Sequence, residues 1–266
     1  MAGGEERLTE KLEERIERAQ RGGAEEVALL VHDPALGVLE ALLRNPALGE
    51  AHLLTLLARK NLPAELLESV AKNGELMRSQ RVKAAVARHP KTQRLVAMKL
   101  LRHLFLFDLV AVSLEPGVSA EIKRMAEEQI IARVEQVPLG ERITLARRAP
   151  ARVAAALAAL GDEPVLAAAL ENPKMTEGAL VRILRQEELP ETVVEGIARH
   201  PKWSLRYDLR LQLVRHPLTP LALALAFLPD LKPDDLMVIA SDHRMTPTMR
   251  EYVQAEAERR LRRSTG

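Results

Sequence analysis

A chain of 266 residues with a formal charge of only +2 is long enough to bury a sizeable core in one or two domains. It has no cysteine, which excludes disulfides, thiolate metal sites, iron–sulfur clusters and a cysteine nucleophile. Aromatic residues make up 2% of the sequence, so Leu and Ala must supply the core, and both are strong helix formers.

The first element is EERLTEKLEERIERAQ, from Glu5 to Gln20, charged throughout and unlike a signal peptide. It predicts an N-terminal capping helix within residues 1–22. A first repeat half follows over 23–137 and a second over 138–246. A charged helix, PTMREYVQAEAERRLRR, then caps the other end over 247–266. No stretch alternates apolar and polar residues as a strand does, so the expected fold is all-α and continuous. The longest apolar run, Leu104 to Leu114, is broken by Asp108 and too short to cross a bilayer. A soluble cytoplasmic protein with no membrane contact is expected.

Sliding the sequence along itself until Asn45 meets Asn172 aligns 45–109 with 172–236 without a gap. In that register Asn45-Pro46 meets Asn172-Pro173, Arg88-His89-Pro90 meets Arg215-His216-Pro217, and Thr92 meets Thr219. Asp108-Leu109 meets Asp235-Leu236. Turn residues and apolar residues coincide together, which predicts two duplicated halves. A finer beat runs inside each half: a charged residue, then Asn or His, then Pro or Gly, at Asn45, Asn73, His89, Asn172, His200 and His216. A residue before proline is pushed out of the α region, and Asn tolerates the left-handed conformation that often ends helices. Thr92, Ser119, Thr176, Thr219 and Thr246 then stand where N-cap oxygens are needed. The pattern predicts 16 to 18 helices of about 9 to 13 residues, each too short to be stable without stacked neighbours.

The segments VKAAVARHPKTQRLVAMKLL (Val82 to Leu101) and DLRLQLVRHPLTPLALALAFL (Asp208 to Leu228) resemble the leucine-rich repeat variant, a HEAT-like repeat family. AALENPKMTEGALVRIL, from Ala168 to Leu184, is a weaker copy. The resemblance implies a right-handed α-solenoid of short stacked helices. The iron–sulfur cluster that family can carry is not implied here, because its cysteines are missing.

Candidate chemistry is sparse. His89 and His216 lack a His, Asp or Glu at ligand spacing, and Asn45 and Asn172 fill the same kind of slot, so the slot calls for a helix-ending side chain. His32, His52, His103, His200 and His243 form no motif, and no phosphate loop or nucleophile elbow is present. Asp108 and Asp235 read as N-caps rather than as catalytic carboxylates. No catalytic residue, metal or cofactor is expected.

Charge is distributed unevenly. Arg78, Arg81, Lys83, Arg88, Lys91, Arg94, Lys99 and Arg102 lie in a stretch without a single acid. Arg206 and Arg210 echo it in the second half, beside Arg199, Lys202 and Arg215, and Arg147, Arg148 and Arg152 lie between. In a solenoid, equivalent positions line one surface, so these cations predict a basic concave stripe for an anionic partner. Trp203 and Tyr207, four residues apart, predict either an aromatic patch on a helix face or a pair packed in the core. The expected function is a non-enzymatic scaffold for a protein partner with an acidic surface. The alternative is a nucleic-acid-binding solenoid, conceivably glycosylase-like. Low net charge and few stacking aromatics favour the first.

Overall fold

The computed structural model describes residues 2–242 and 245–264, with side chains from 11 to 262 in that span, so His243 and the first side chains of the N-terminal helix lie outside the described residues. Among the described residues there are eighteen α-helices, three 3-10 turns and no strand. The chain divides into two compact units, Met1–Ile130 and Ile131–Gly266. The first contains α1 (Ala2–Arg21), α2 (Ala24–Leu30), α3 (Leu36–Leu42), α4 (Glu50–Leu57), α5 (Ala64–Lys72), α6 (Gln80–Arg88), α7 (Arg94–Leu101), α8 (Leu106–Leu114) and α9 (Ala120–Ile131), whose last residue crosses the division. The second contains α10 (Leu139–Arg148), α11 (Ala151–Ala158), α12 (Glu163–Leu170), α13 (Glu177–Ile183), α14 (Glu191–Arg199), α15 (Tyr207–Arg215), α16 (Leu221–Phe227), α17 (Pro233–Ala240) and α18 (Pro247–Ser264).

The corners follow one piece of chemistry. Each of Asn45, Asn73, His89, Asn172, His200 and His216 ends or follows a helix, and its side chain accepts a hydrogen bond from the backbone N–H two residues on. The acceptor is Oδ1 in Asn and Nδ1 in His, which is why the two residue types interchange. Asp33 makes the same bond to Ala35, a seventh corner that the Asn/His pattern had concealed. These corners do not use left-handed backbone: Asn73, His89, His200 and His216 all have extended ψ angles of 103 to 131°. The following proline, or Gly74, accepts that geometry, and the side-chain bond replaces the turn that a left-handed residue would make.

The expected caps divide into two groups. Ser119, Thr176 and Thr246 accept from the third residue beyond them, as N-caps do, and Ser79 does so as well. Thr92 and Thr219 do not cap the next helix. Each donates its hydroxyl back to the carbonyl of the residue six earlier, Val86 and Leu213, so it closes the helix behind it. Asp108 and Asp235 are not N-caps either. Phe105 and Lys232 hold those positions, and the two acids sit in the first helical turn, where a negative charge still favours the helix dipole.

Packing within each unit is mainly between near neighbours. α1 packs on α3, α3 on α5, α4 on α6 and α6 on α8; in the second unit α10 packs on α12, α11 on α13, α12 on α14 and α13 on α15. The helices between α1 and α18 run 7 to 12 residues, slightly shorter than expected, because the corners consume a residue or two of each period. Their buried faces are aliphatic: Leu39, Leu42, Leu53, Leu56, Leu66, Val70 and Leu109 in the first unit, Leu145, Val153, Leu157, Leu180, Val193, Ile197 and Leu213 in the second. Burial of each contributes about 1.5 to 3 kcal/mol, which helices of this length require. Among the described residues, no helix is long and apolar enough to cross a membrane.

Candidate binding clefts

In the first unit, α4 lies against α6 and α6 against α8. A cleft of about 320 Å³ opens there, floored by Leu54, Leu57, Ala58 and Ala85 and rimmed by Lys60, Arg88, His89 and Glu115. Arg88, the last residue of α6, donates through Nη2 to Glu115 at 2.8 Å, and Lys60 donates to the other oxygen of that carboxylate at 3.1 Å. Arg88 first and Lys60 second hold the Glu115 carboxyl below its ordinary range. Two cations therefore share one anion.

His89 adds no charge. Its Nδ1 accepts from the Lys91 N–H at 3.2 Å, so the proton sits on Nε2, which donates to the Arg59 carbonyl at 2.8 Å. Burial, opposed by that bond and reinforced by Lys60 and Lys91, pushes its pKa down. Both ring nitrogens are occupied in holding the corner, so nothing is left for a substrate or metal.

The second unit has a cleft of about 370 Å³ lined by Leu184, Arg185, Gln186, Glu187, Gln212, Arg215, His216 and Pro217. In the register that sets Asn45 on Asn172, Leu57, Ala58, Lys60, Ala85, Arg88 and His89 fall on Leu184, Arg185, Glu187, Gln212, Arg215 and His216. Arg215 donates through Nε and Nη2 to Asp242, which the same register pairs with Glu115. Asn45 and Asn172 themselves match in their bonding. Each donates to two carbonyls 26 and 23 residues earlier, Ala19 and Gly22 in one case, Ala146 and Ala149 in the other. Glu115 and Asp242 escape the sequence reading because the gapless alignment stops at 109 and 236; continuing it a little further brings them together.

The expected basic stripe is partly neutralised. Arg81 pairs with Glu50 at 3.0 Å, Arg94 with Glu121 at 2.7 Å, and Arg88 with Glu115, while Arg78 sits 3.8 Å from Glu75 with both side chains exposed. Acids absent from the local sequence are supplied by α4, the end of α8 and α9. Lys83, Lys91 and Lys99 form no ion pair among the described residues; Lys91 donates to the Asn61 carbonyl. Arg102 is exposed at the C-cap of α7. In the second unit Arg206 is exposed at the N-cap of α15, and Arg210 is drawn inward onto Asp230 and the Ser204 carbonyl, over the Phe227 ring.

Trp203 and Tyr207 do not share a helix face. Trp203 sits in the turn before α15, 3% exposed, and donates to the Leu170 carbonyl at 2.9 Å. Lys202 covers its ring at 4.1 Å. Tyr207 opens α15; its hydroxyl donates to Asp235 and accepts from the Lys232 N–H, and Lys232 lies over its ring. Burial, then the Asp235 bond, raises the Tyr207 pKa. Helical spacing misled here because the Arg-His-Pro corner before Trp203 delays the helix start to Tyr207. Among the described residues, no group of three His, Asp or Glu is arranged to hold a metal. Family models, curated proteins and solved structures offer no match to this chain.

Proposed function

We propose that this chain is a non-enzymatic helical-repeat scaffold, an α-solenoid akin to the leucine-rich repeat variant and built from two duplicated halves, which binds a protein partner bearing an acidic surface. The single observation that carries the proposal is the cation excess on α6, α7 and the corner between them: Lys83, Lys91 and Lys99 have no ion pair among the described residues. The recurrence of corners, Arg–carboxylate pairs and clefts at positions equivalent under the Asn45–Asn172 register supports the duplication. A buried Trp203 and a Tyr207 whose hydroxyl is engaged on both sides weigh against base stacking.

The test is the triple variant Lys83→Glu, Lys91→Glu, Lys99→Glu, compared with the parent chain by quantitative co-purification from cells and by DNA and RNA anisotropy titrations at two salt concentrations. The scaffold reading expects protein partners to be lost while neither nucleic acid binds. Nucleic-acid binding with a steep salt slope that the variant flattens would move the assignment to nucleic acid. An unchanged set of protein partners would remove the basic surface from the function altogether.

A further inference from the structure

The two clefts share an Arg–carboxylate pair at equivalent positions, yet their charge differs at two lining positions. In the first unit Lys60 and Arg88 share Glu115, and His89 is held neutral by its tautomer. One positive charge remains at the mouth. It is accessible: the Lys60 and Arg88 side chains are 60% and 45% exposed, whereas Glu115 lies beneath them at 14%. In the second unit Glu187 replaces Lys60, Arg185 replaces Ala58 and Gln212 replaces Ala85, so two Arg meet two acids and the floor is more polar. A cleft of about 320 Å³ is at the small end for a ligand site and suits one or two side chains better than a whole cofactor.

We infer that the α4–α6 cleft of the first unit is the docking point for an extended acidic segment of a partner protein, with an apolar side chain seated on Leu54, Leu57 and Ala85 and a neighbouring carboxylate on Lys60 and the outer edge of Arg88. This deepens the scaffold reading and rests on it. Charge complementarity selects the occupant: the incoming carboxylate supplies the second anion that two cations around Glu115 lack, and the apolar floor gives its neighbour a dry seat. The equivalent cleft of the second unit has no such excess and does not take the same segment.

The test uses the full chain and a fluorescent synthetic twelve-residue peptide of alternating Asp and Leu, with an Asn-for-Asp peptide of equal size as control. The parent chain should bind the Asp peptide, more weakly as salt rises, and bind the Asn peptide about tenfold less well. Lys60→Glu, which copies the second unit's rim, should weaken Asp-peptide binding about tenfold, and Ala85→Gln, which copies its floor, should weaken both peptides. Lys11→Glu carries the same charge change at an exposed position outside the cleft and should have less than a threefold effect. All variants are checked for an unchanged thermal midpoint. Equal losses in Lys60→Glu and Lys11→Glu would overturn the cleft as the site, because the peptide would then respond to net charge alone. No binding of either peptide to the parent chain overturns the cleft proposal alone, because the scaffold reading is judged by partner loss in the α6–α7 triple variant.

Discussion

His89 shows how much a single side chain does at a corner of this fold. It replaces backbone hydrogen bonds at a helix end, and its ring is neutral because both nitrogens are committed. Its native pKa lies below the ordinary 6.5, chiefly through burial. Below that pH the unfolded chain takes up a proton that the native chain resists, so this contribution to stability is present above pH 6.5 and is lost as pH falls toward the native value. His89→Asn keeps the bond to residue 91, as Asn73 does to Glu75, but cannot keep the one to Arg59. Denaturation at several pH values should show a loss of about 1 kcal/mol at pH 8 and a flatter pH dependence below 6.5. Gly161 is a second such position. It has φ of +83°, and an added Cβ would lie 2.9 Å from Pro190, so Gly161→Ala should lower stability by about 1 to 2 kcal/mol. Gly140 meets nothing within 4 Å and lies in α10, so Gly140→Ala should raise stability, by about 0.5 kcal/mol. A fall in Gly140→Ala would mean that helix propensity is wrongly assigned there, and an unchanged Gly161→Ala would mean the same of backbone strain.

Helices of seven to twelve residues persist here because they bury aliphatic faces against neighbouring helices. The longer α18, of 18 residues, does the same. Met249, Val253 and Ala257, spaced by four, are buried, and α18 packs on α17, while Gln254, Glu258, Arg259 and Arg262 remain outside. Arg260 reaches back to the carbonyls of Leu231 and Leu228 at 2.7 and 2.8 Å. Removing residues 247–266 therefore uncovers the face of α17 on which α18 packs and leaves those carbonyls without their Arg partner. Light scattering should detect aggregation of the truncated chain, and Val253→Asp should reduce stability by about 3 kcal/mol through a buried unpaired carboxylate. A truncated chain that stays monomeric and unfolds cooperatively at the parent temperature would refute the covering role of α18.

Across the molecule, charge balance is achieved over distances in sequence that no local window spans. Arg81, Arg88 and Arg94 look uncompensated in their own stretch, yet Glu50, Glu115 and Glu121, 27 to 31 residues away, neutralise them. Reversing these three Arg to Glu therefore sets like charges face to face. It should lower stability by about 2 kcal/mol, whereas reversing Lys83, Lys91 and Lys99 should change it by less than about 0.5 kcal/mol. The Glu115 carboxyl has a lowered native pKa, so its pairs stabilise above the ordinary carboxylate range and that stability is lost as pH falls through the native value. The difference between the Arg triple variant and the parent should accordingly shrink in acid, a trend that urea titrations at pH 7 and pH 3 can measure.

Helix ends, aliphatic composition and the echo between 45–109 and 172–236 were all readable from the order of residues. A residue before proline, an Asn or His one step ahead of it and apolar residues at helical spacing act through contacts a few positions away. The same range explains the errors. Thr92 turned its hydroxyl backward to Val86 instead of forward, and Tyr207 began a helix that Trp203 never entered, because each choice depends on what a neighbouring helix leaves unpaired. Which cations stay free and where the clefts open depended on packing. Arg88 meets Glu115 and Lys60 only because α6 lies between α4 and α8, and burial and Coulomb forces act on proximity in space, which the linear sequence specifies only through the completed fold.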